Sequence, residues 1–407
     1  MQTKRLFFSI VLYWFSLYLH IPYQSVYLTS LFVTGSLLGI IVGAYGYAQV
    51  VFRIPLSIFV DKSGKQKSLM MVGSIAPAFA GMIRLLLDNP QGYFIANVVG
   101  GFGASFWVLF IVDFSKRIAL SDHNRDGSAL INFANQSGIF LAFIFGMLTY
   151  KSGGMRILLI ASIVTSISSF ILLISIQEIG IKQNSSLTYR NLDDSQSYKI
   201  MLKTVLFNKS LLKSLPVGFF YFGLLAATIQ SLSIQRIALL KATEFQIGLF
   251  NVIYISSTVL MSLLIARLYH KSKELECEDM LVFSFLLKAI YHFSFMHLNN
   301  FILIGFVQVI AGVFSAISAS CGIKMALATV PDEVKNVAMG LYQTFVALGM
   351  SIVPSVLGIL VDRTNIITTY NIIGIVCVLL IVYSFLIKKR DFQQLITEIS
   401  VSSEEMT

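Results

Sequence analysis

The chain reads Arg53-Ile-Pro-Leu-Ser57-Ile-Phe-Val-Asp61-Lys-Ser-Gly64-Lys65-Gln-Lys67 where its second long apolar segment ends. The segment before Asp61 is largely apolar for about 20 residues, which is the length that crosses the hydrocarbon core of a bilayer. The turn after it carries three lysines and a glycine. A spanning apolar segment that stops in a basic turn is typical of a membrane helix that reaches the headgroups.

Composition extends this interpretation to the whole chain. Of its 407 residues 56% are hydrophobic and only 12% are charged, whereas soluble domains carry about 25% charged residues. The apolar hydrocarbon core offers no water to the backbone, so each spanning segment must be helical to satisfy its own hydrogen bonds. The sequence therefore predicts an all-α integral membrane protein.

Twelve segments have the length and apolar character of transmembrane helices. They are residues 6–31, 37–60, 68–87, 91–114, 126–149, 156–176, 214–234, 244–268, 280–297, 301–327, 337–361 and 366–387. A polar stretch separates the sixth from the seventh. We therefore divide the chain into an N-terminal six-helix bundle (1–176), a cytoplasmic linker (177–213), a C-terminal six-helix bundle (214–390) and a tail (391–407).

The two halves repeat each other. Gly39 lies 22 residues before Asp61, and Gly248 lies 22 residues before His270. The further matches are Asn97-Val-Val-Gly-Gly101 with Gln308-Val-Ile-Ala-Gly312, and the pair Asn124 and Gly146 with the pair Asn336 and Gly358. Three landmarks in one order at a shift of about 210 residues indicate a duplicated six-helix unit. In membrane proteins, internal repeats are typical of transporters that bind between the repeats.

The basic residues set the orientation. With the N-terminus in the cytoplasm, 21 of the 30 Lys and Arg residues fall in inside segments, five outside and four within helices. Cytoplasmic loops of membrane proteins carry such an excess. We therefore expect a multi-pass protein of the cell membrane with both termini cytoplasmic. The net charge of +10 is spread over loops beside anionic lipid, so it indicates lipid, not nucleic acid, as the partner.

The turn quoted above resembles the G-x-x-x-D-(R/K)-x-G-(R/K)-x-(R/K) signature of the major facilitator superfamily, with Ser57 in place of the first Gly. The resemblance implies that Asp61 meets the start of the eleventh helix near Asn336 and gates the transition between access states. The alternative is an ordinary charged helix end among headgroups. The expected gating residues are Ser57, Asp61, Gly64, Lys65 and Lys67.

Polar side chains at membrane depth are the candidate substrate site, because they are costly there and face protein or a cavity. The candidates are His20, Gln24, Tyr45, Gln49, Arg53, Asn97 and Gln308. Tyr45, Gln49, Arg53 and Ser57 share a helix face at intervals of four. Arg53 has two alternatives, a snorkelling side chain or a packing partner of the eleventh helix. His20 is either a structural residue or a proton carrier, and Lys288 and His292 read as structural or snorkelling residues.

No carboxylate lies at the predicted membrane centre, so proton coupling would run through His20 or Asp113. A cavity with Arg53 and no acid favours an anionic, zwitterionic or neutral solute. Drug:proton antiporters of the family have Arg where this chain has Asn97, which speaks against their usual coupling. A partial version of an exporter pattern, with Gly138 and Gly146 in the fifth helix, favours efflux.

The function that follows is secondary active transport of a small organic solute by alternating access, with efflux first. The alternatives are uptake of an anionic or zwitterionic metabolite and a non-transporting membrane sensor on the same fold. Motifs of nucleotide, metalloprotease or hydrolase sites do not stand out, so we expect no enzyme activity, no cofactor and no metal. Protons are the candidate coupling ion, and we expect a monomer.

Overall fold

A computed structural model describes residues 2–63, 65–121, 127–178, 205–271, 277–327 and 335–404. Throughout this part of the chain the regular structure is helical. The elements are α1 (Gln2–Tyr18 and Ile21–Ser30), α2 (Gly35–Ser63), α3 (Gln66–Leu86), α4 (Pro90–Ser105 and Trp107–Ser121), α5 and α6 (the two halves of Gly127–Ile174), α7 (Lys209–Leu224, Leu225–Leu232 and Ser233–Leu239), α8 (Glu244–Lys271), α9 (Cys277–Phe295), α10 (Phe301–Leu327), α11 (Lys335–Arg363) and α12 (Ile366–Glu404).

Within the described residues, ten helical stretches are long and apolar enough to cross a membrane. One of them, Leu130–Ile174, has 45 residues, about twice what one crossing needs. It bends at Gly154, whose φ of 56° suits glycine, and so supplies both α5 and α6. The helix α9 is absent from the ten, since its 19 residues include three charged ones, Glu278, Asp279 and Lys288. The prediction of a twelve-helix membrane fold is confirmed.

Three of the spans are not continuous α-helices. Residue Pro22 lacks an N–H, and α1 breaks just before it, so that His20 sits at the junction. The helix α4 breaks at Phe106. In α7 the segment Leu225–Leu232 is a π-helix, a distortion that occurs often at functional sites. These breaks were not predicted, because the apolar pattern runs straight through them.

Serine side chains join the helices of the N-terminal bundle. Between α1 and α6, the Ser9 hydroxyl donates to the Ser169 carbonyl at 3.1 Å, and the Ser169 hydroxyl returns a bond to the Ser9 carbonyl at 2.8 Å. Between α3 and α6, the Ser166 hydroxyl bonds the Ser74 carbonyl at 2.7 Å and accepts from Ala78 N at 3.0 Å. Small polar residues of this kind let membrane helices approach closely and bond across the contact.

The duplication recurs in the packing of the two bundles. A Cβ placed on Gly101 of α4 would collide with the carbonyl oxygen of Tyr45 on α2. A Cβ placed on Gly312 of α10 would collide in the same way with the carbonyl oxygen of Tyr254 on α8. Tyr45 and Tyr254 each lie six residues after the matched glycines Gly39 and Gly248, so the two halves use one packing contact twice.

The bundles meet where α2 begins and α11 ends, a surface that we call the distal face; the opposite face, which holds the N-terminus, is the terminal face. A Cβ on Gly39 would collide with the carbonyl oxygen of Pro354, and one on Gly358 with the carbonyl oxygen of Gly35. In a second contact between the bundles, Gly248 of α8 packs on Met147 of α5. These glycines bring the backbones of the two bundles into contact at the distal face.

The outer surface of the molecule is apolar, and many polar groups are inside. Large side chains on the surface include Phe79, Leu260, Phe306 and Leu379, which are 52–68% exposed. Water-soluble proteins rarely expose large apolar patches. The arrangement suits a molecule whose sides face lipid and whose interior holds polar and cavity-lining groups.

Candidate functional site

A narrow cavity lies between the two bundles. Its polar lining residues are Ser16, Tyr18, His20, Gln24, Tyr45, Arg84, Asn97, Ser162 and Gln230. The apolar lining residues are Leu17, Ile21, Val42, Pro77, Ala80, Gly100, Ala226 and Met350. The N-terminal bundle supplies nearly all of this lining, and the C-terminal bundle adds Ala226 and Gln230 from the π-helical part of α7 and Met350 from α11.

Arg84 is the cation of this cavity. Its side chain is 4% exposed, its Nη2 donates to Asn97 Oδ1 at 2.6 Å, and its guanidinium carbon lies 5.8 Å from the centroid of the Tyr93 ring. Among the residues that line the cavity there is no acidic side chain. A buried arginine within a transmembrane helix is costly, and one amide and one ring face offset only part of that cost.

Arg84 was not among the predicted site residues. It lies two residues before the end of α3 at Leu86, where a basic residue usually snorkels to the interface. Helical side chains, however, tilt toward the N-terminus of their helix, so Arg84 points from the distal end back into the bundle. The signal in the sequence was the spacing of Pro77, Ala80 and Arg84, which places two small residues and the cation on one face.

His20 and Gln24 face the same cavity from the broken part of α1. Both side chains are 5% exposed. The two ring nitrogens of His20 have no hydrogen-bond partner among the described protein groups, and Gln24 Oε1 has none either. Leaving such buried groups without a partner costs about 1–3 kcal/mol each, so they are suited to a partner that enters the cavity. Asn97 differs, since its Nδ2 donates to the Ile41 carbonyl at 2.7 Å.

The residues predicted to share one face of α2 do not all line the cavity. Tyr45 lines the cavity, whereas Gln49 and Arg53 lie outside its lining. Arg53 is 4% exposed, its Nη2 donates to Gln49 Oε1, and its Nη1 donates to the carbonyl oxygen of Gln343 on α11. The structure therefore places this guanidinium at the contact between the two bundles, where a helix carbonyl is one of its partners.

Gln308, Lys288 and His292 lie in the interior of the C-terminal bundle, outside the cavity lining. Gln308 is 3% exposed and its Oε1 has no hydrogen-bond partner among the described groups. Lys288 is fully buried, and its Nζ donates to the Tyr221 carbonyl at 3.3 Å. His292 is also fully buried, with Nδ1 2.7 Å from the Lys288 carbonyl oxygen. Full burial excludes snorkelling for both residues.

The expected gate lies partly outside the described residues. Gly64 and the side chains of Ser57, Asp61 and Asn336 belong to that part, so the contact of Asp61 with α11 stays a prediction. Lys67 is described: its Nζ donates to the Ile174 carbonyl at 3.0 Å and its backbone N–H to Glu178 Oε1 at 3.3 Å. Lys67 thereby joins the start of α3 to the end of α6 on the terminal face, and Lys65 precedes that helix.

Asp113, the second candidate for proton coupling, has a basic partner. Its Oδ2 accepts from Arg117 Nε at 2.6 Å, one turn further along α4. Arg117 also donates to the side chain of Gln2 at 3.1 Å and to the carbonyl of Gln177 at 2.8 Å. Arg117 thereby links α4 to the start of α1 and to the residues that follow α6. This contact lies at the terminal face, away from the cavity lining.

Three solved structures share this architecture. A mutant of the nucleoside transporter NupG superposes with a TM-score of 0.77 at 14% identity, over 95% of this chain and 99% of that one. A POT family transporter in complex with a thioalcohol-conjugated peptide gives 0.74 at 13% identity, over 95% and 96%. The human organic anion transporter MFSD10 (TETRAN) gives 0.69 at 14% identity, over 94% and 98%. At these identities the likeness concerns the fold.

Sequence comparison extends the likeness to family. An uncharacterized MFS-type transporter of Methanocaldococcus jannaschii is 22% identical over 382 residues, which cover 90% of this chain and 92% of the relative. The sequence model described as Major Facilitator Superfamily matches residues 6–274 and 217–399, so together the two matches cover nearly the whole chain. The protein belongs to the Major Facilitator Superfamily and is a multi-pass membrane transporter, not an enzyme.

Proposed function

We propose that this transporter is a secondary carrier that exports a small organic solute across the cell membrane by alternating access around the cavity at Arg84. The observation that carries the proposal is the position of the cavity between two repeats whose distal ends are in contact. In transporters built from repeats, the site lies at the repeat interface and the two bundles rock around it. The distal contact of α2 with α11 is then the closed external gate.

The orientation proposed is the one that the basic residues predict, with the terminal face and both termini in the cytoplasm. The small residues of α5 support export. Gly138 packs against the Val11 carbonyl and Trp14 of α1, and Gly146 packs against Tyr23, so the exporter-like spacing lies on the face of α5 that meets α1. A monomer is the proposed working unit.

Protons are the proposed coupling ion, and His20 is the proposed carrier. His20 lines the cavity, and its buried ring nitrogens have no hydrogen-bond partner among the described protein groups, whereas Asp113 is engaged by Arg117. Histidine is the candidate because its ordinary pKa near 6.5 lies close to physiological pH, which suits the side chain to bind and release protons there.

The test is a flux measurement in membrane vesicles of both orientations under an imposed pH gradient. The panel contains labelled anionic, zwitterionic, neutral and cationic organic solutes, and the reference is a preparation of vesicles that lack the protein. We expect the wild type to accumulate at least one solute in inside-out vesicles, and the reference to lack this flux. Flux confined to right-side-out vesicles would establish uptake in place of export, and no flux of any solute would contradict transport.

A further inference from the structure

We propose that the cavity selects a small, singly charged organic anion, such as an amphipathic monocarboxylate, and that Arg84 anchors its charge in the N-terminal bundle. The inference rests on the proposed function, because it names the class of solute that the same cavity would carry. Its starting point is the charge of the lining: one guanidinium and, among the lining residues, no carboxylate.

The charge count argues for a single negative charge on the solute. Arg84 is buried in the wall, where it contacts the uncharged Asn97 side chain and the face of the Tyr93 ring. Its Nε–H has no hydrogen-bond partner among the described protein groups. A planar guanidinium with donors left over matches a carboxylate, which accepts two parallel bonds. While His20 is neutral, a cation would be repelled by Arg84, and a dianion would keep one charge without a partner.

The other open groups define the rest of the solute. Gln24 Oε1 accepts hydrogen bonds, so it calls for a hydroxyl or N–H on the solute, and His20 serves either a donor or an acceptor. The apolar lining of Leu17, Ile21 and Val42 takes a hydrocarbon portion. A carboxylate, a neighbouring hydrogen-bond donor and a compact apolar body together match the chemistry of this lining.

The two bundles have unequal parts in this recognition. The cation and both unpartnered α1 side chains belong to the N-terminal bundle, whereas the C-terminal bundle contributes the uncharged Ala226, Gln230 and Met350. The anionic group is therefore held by one bundle throughout the cycle. Closing of the other bundle over the solute buries its apolar body without moving a charge from one bundle to the other.

Charge selectivity of a thiol reaction inside the cavity tests the proposal without knowledge of the solute. Val42→Cys places a reporter thiol in the lining, and the chain without it gives the background from the three native cysteines. The reagents are anionic sulfonatoethyl and cationic trimethylammonioethyl methanethiosulfonate. The reaction rate of each reagent with the protein is divided by its rate with a small free thiol, and the charge ratio is the anionic value over the cationic value. We expect the anionic reagent to react about tenfold faster, from the attraction of one buried charge over several ångströms.

Variants assign the selectivity to Arg84. The ratio of anionic to cationic labelling at Val42→Cys should fall to about one in Arg84→Gln. It should persist in Arg84→Lys, which keeps the charge. Arg156→Gln, which removes an exposed arginine of α6, is the matched control and should change nothing. Asn97→Asp keeps the guanidinium but gives it a carboxylate neighbour, and should also abolish the preference, so the test survives if Arg84→Gln does not fold.

Two results would overturn the anion site: a wild-type ratio of one or below, or a ratio that Asn97→Asp and a folded Arg84→Gln leave unchanged. The outcome is separate from that of the vesicle experiment. An intact charge ratio without flux of any solute would contradict transport and leave the anion site standing, whereas flux of cations with a ratio below one would contradict the anion site alone.

Discussion

The carboxylate of Asp362, at the end of α11, accepts the backbone N–H groups of Gly35 and Ser36 at the start of α2, at 2.9 and 2.7 Å. The N-terminus of a helix carries partial positive charge, so a carboxylate there is favourable. The bond joins the two bundles at the distal face. The chain reads Val-Asp-Arg-Thr around Asp362 and Val-Asp-Lys-Ser around Asp61, so each of the two helices ends in the same kind of sequence.

We therefore expect Asp362→Asn to weaken closure of the distal face. Hydrogen bonds to a charged group contribute about 1.5–3 kcal/mol, and exposure to solvent reduces this contribution to about 1 kcal/mol. Loss of about 1 kcal/mol changes the ratio of closed to open molecules roughly fivefold. The measurement is the labelling rate of Val42→Cys from the distal side by an impermeant thiol reagent. Asp88→Asn is the control, since Asp88 binds Tyr27 within the N-terminal bundle, and should leave the rate unchanged.

Asp61 should play the corresponding part on the terminal face. We expect Asp61→Asn to insert and fold normally but to transport much more slowly, because a carboxylate at the start of α11 would stabilise the state with that face closed. Asp391→Asn removes the same charge from the tail and serves as the control. Turnover of Asp61→Asn at the wild-type rate would remove the gate function from this residue.

Arg53 is expected to act on the contact between the bundles. Its bond to the Gln343 carbonyl links α2 to α11, so Arg53→Gln should destabilise the state with α2 and α11 in contact by about 1.5–3 kcal/mol. The ratio of anionic to cationic labelling at Val42→Cys should stay at its wild-type value. A fall of that ratio to about one in Arg53→Gln, with the thermal midpoint unchanged, would instead place Arg53 in the solute site. The shared helix face of Tyr45, Gln49 and Arg53 predicts that outcome.

The sequence predicted the architecture because the architecture depends on the length and spacing of apolar segments, which can be read directly from the sequence. Spanning length and the spacing of Gly39 and Gly248 specify twelve helices and their repeat, and both glycines indeed lie on contacts between the bundles. The cavity was predicted less well. Tyr45 and Asn97 line it, but Arg53 does not and Arg84 does. Depth along a helix is readable from sequence, whereas the direction of a long side chain and its bond to a carbonyl of another helix are not.

Lys288 allows a prediction on stability alone. It is fully buried, and the partners described for its Nζ are the Tyr221 carbonyl and the rings of Tyr221 and Phe314. Lys288→Met keeps the shape and removes a buried charge that costs about 2.5–3.5 kcal/mol at this depth, against the loss of one hydrogen bond of about 1 kcal/mol. We expect a higher thermal midpoint with flux retained. A large loss of stability would show that the ammonium group is needed to hold α7.

Alternating access of the cavity is the central claim, and accessibility of Val42→Cys from the two faces tests it most directly. The lock is a disulfide between Gly35→Cys and Asp362→Cys, since a Cβ on Gly35 lies 3.4 Å from the Asp362 Cγ. An impermeant thiol reagent is applied to vesicles of either orientation. We predict labelling from both faces without the lock and from the terminal face alone with it. Labelling from one face only without the lock, or from the distal face with the disulfide formed, would contradict alternating access around this cavity.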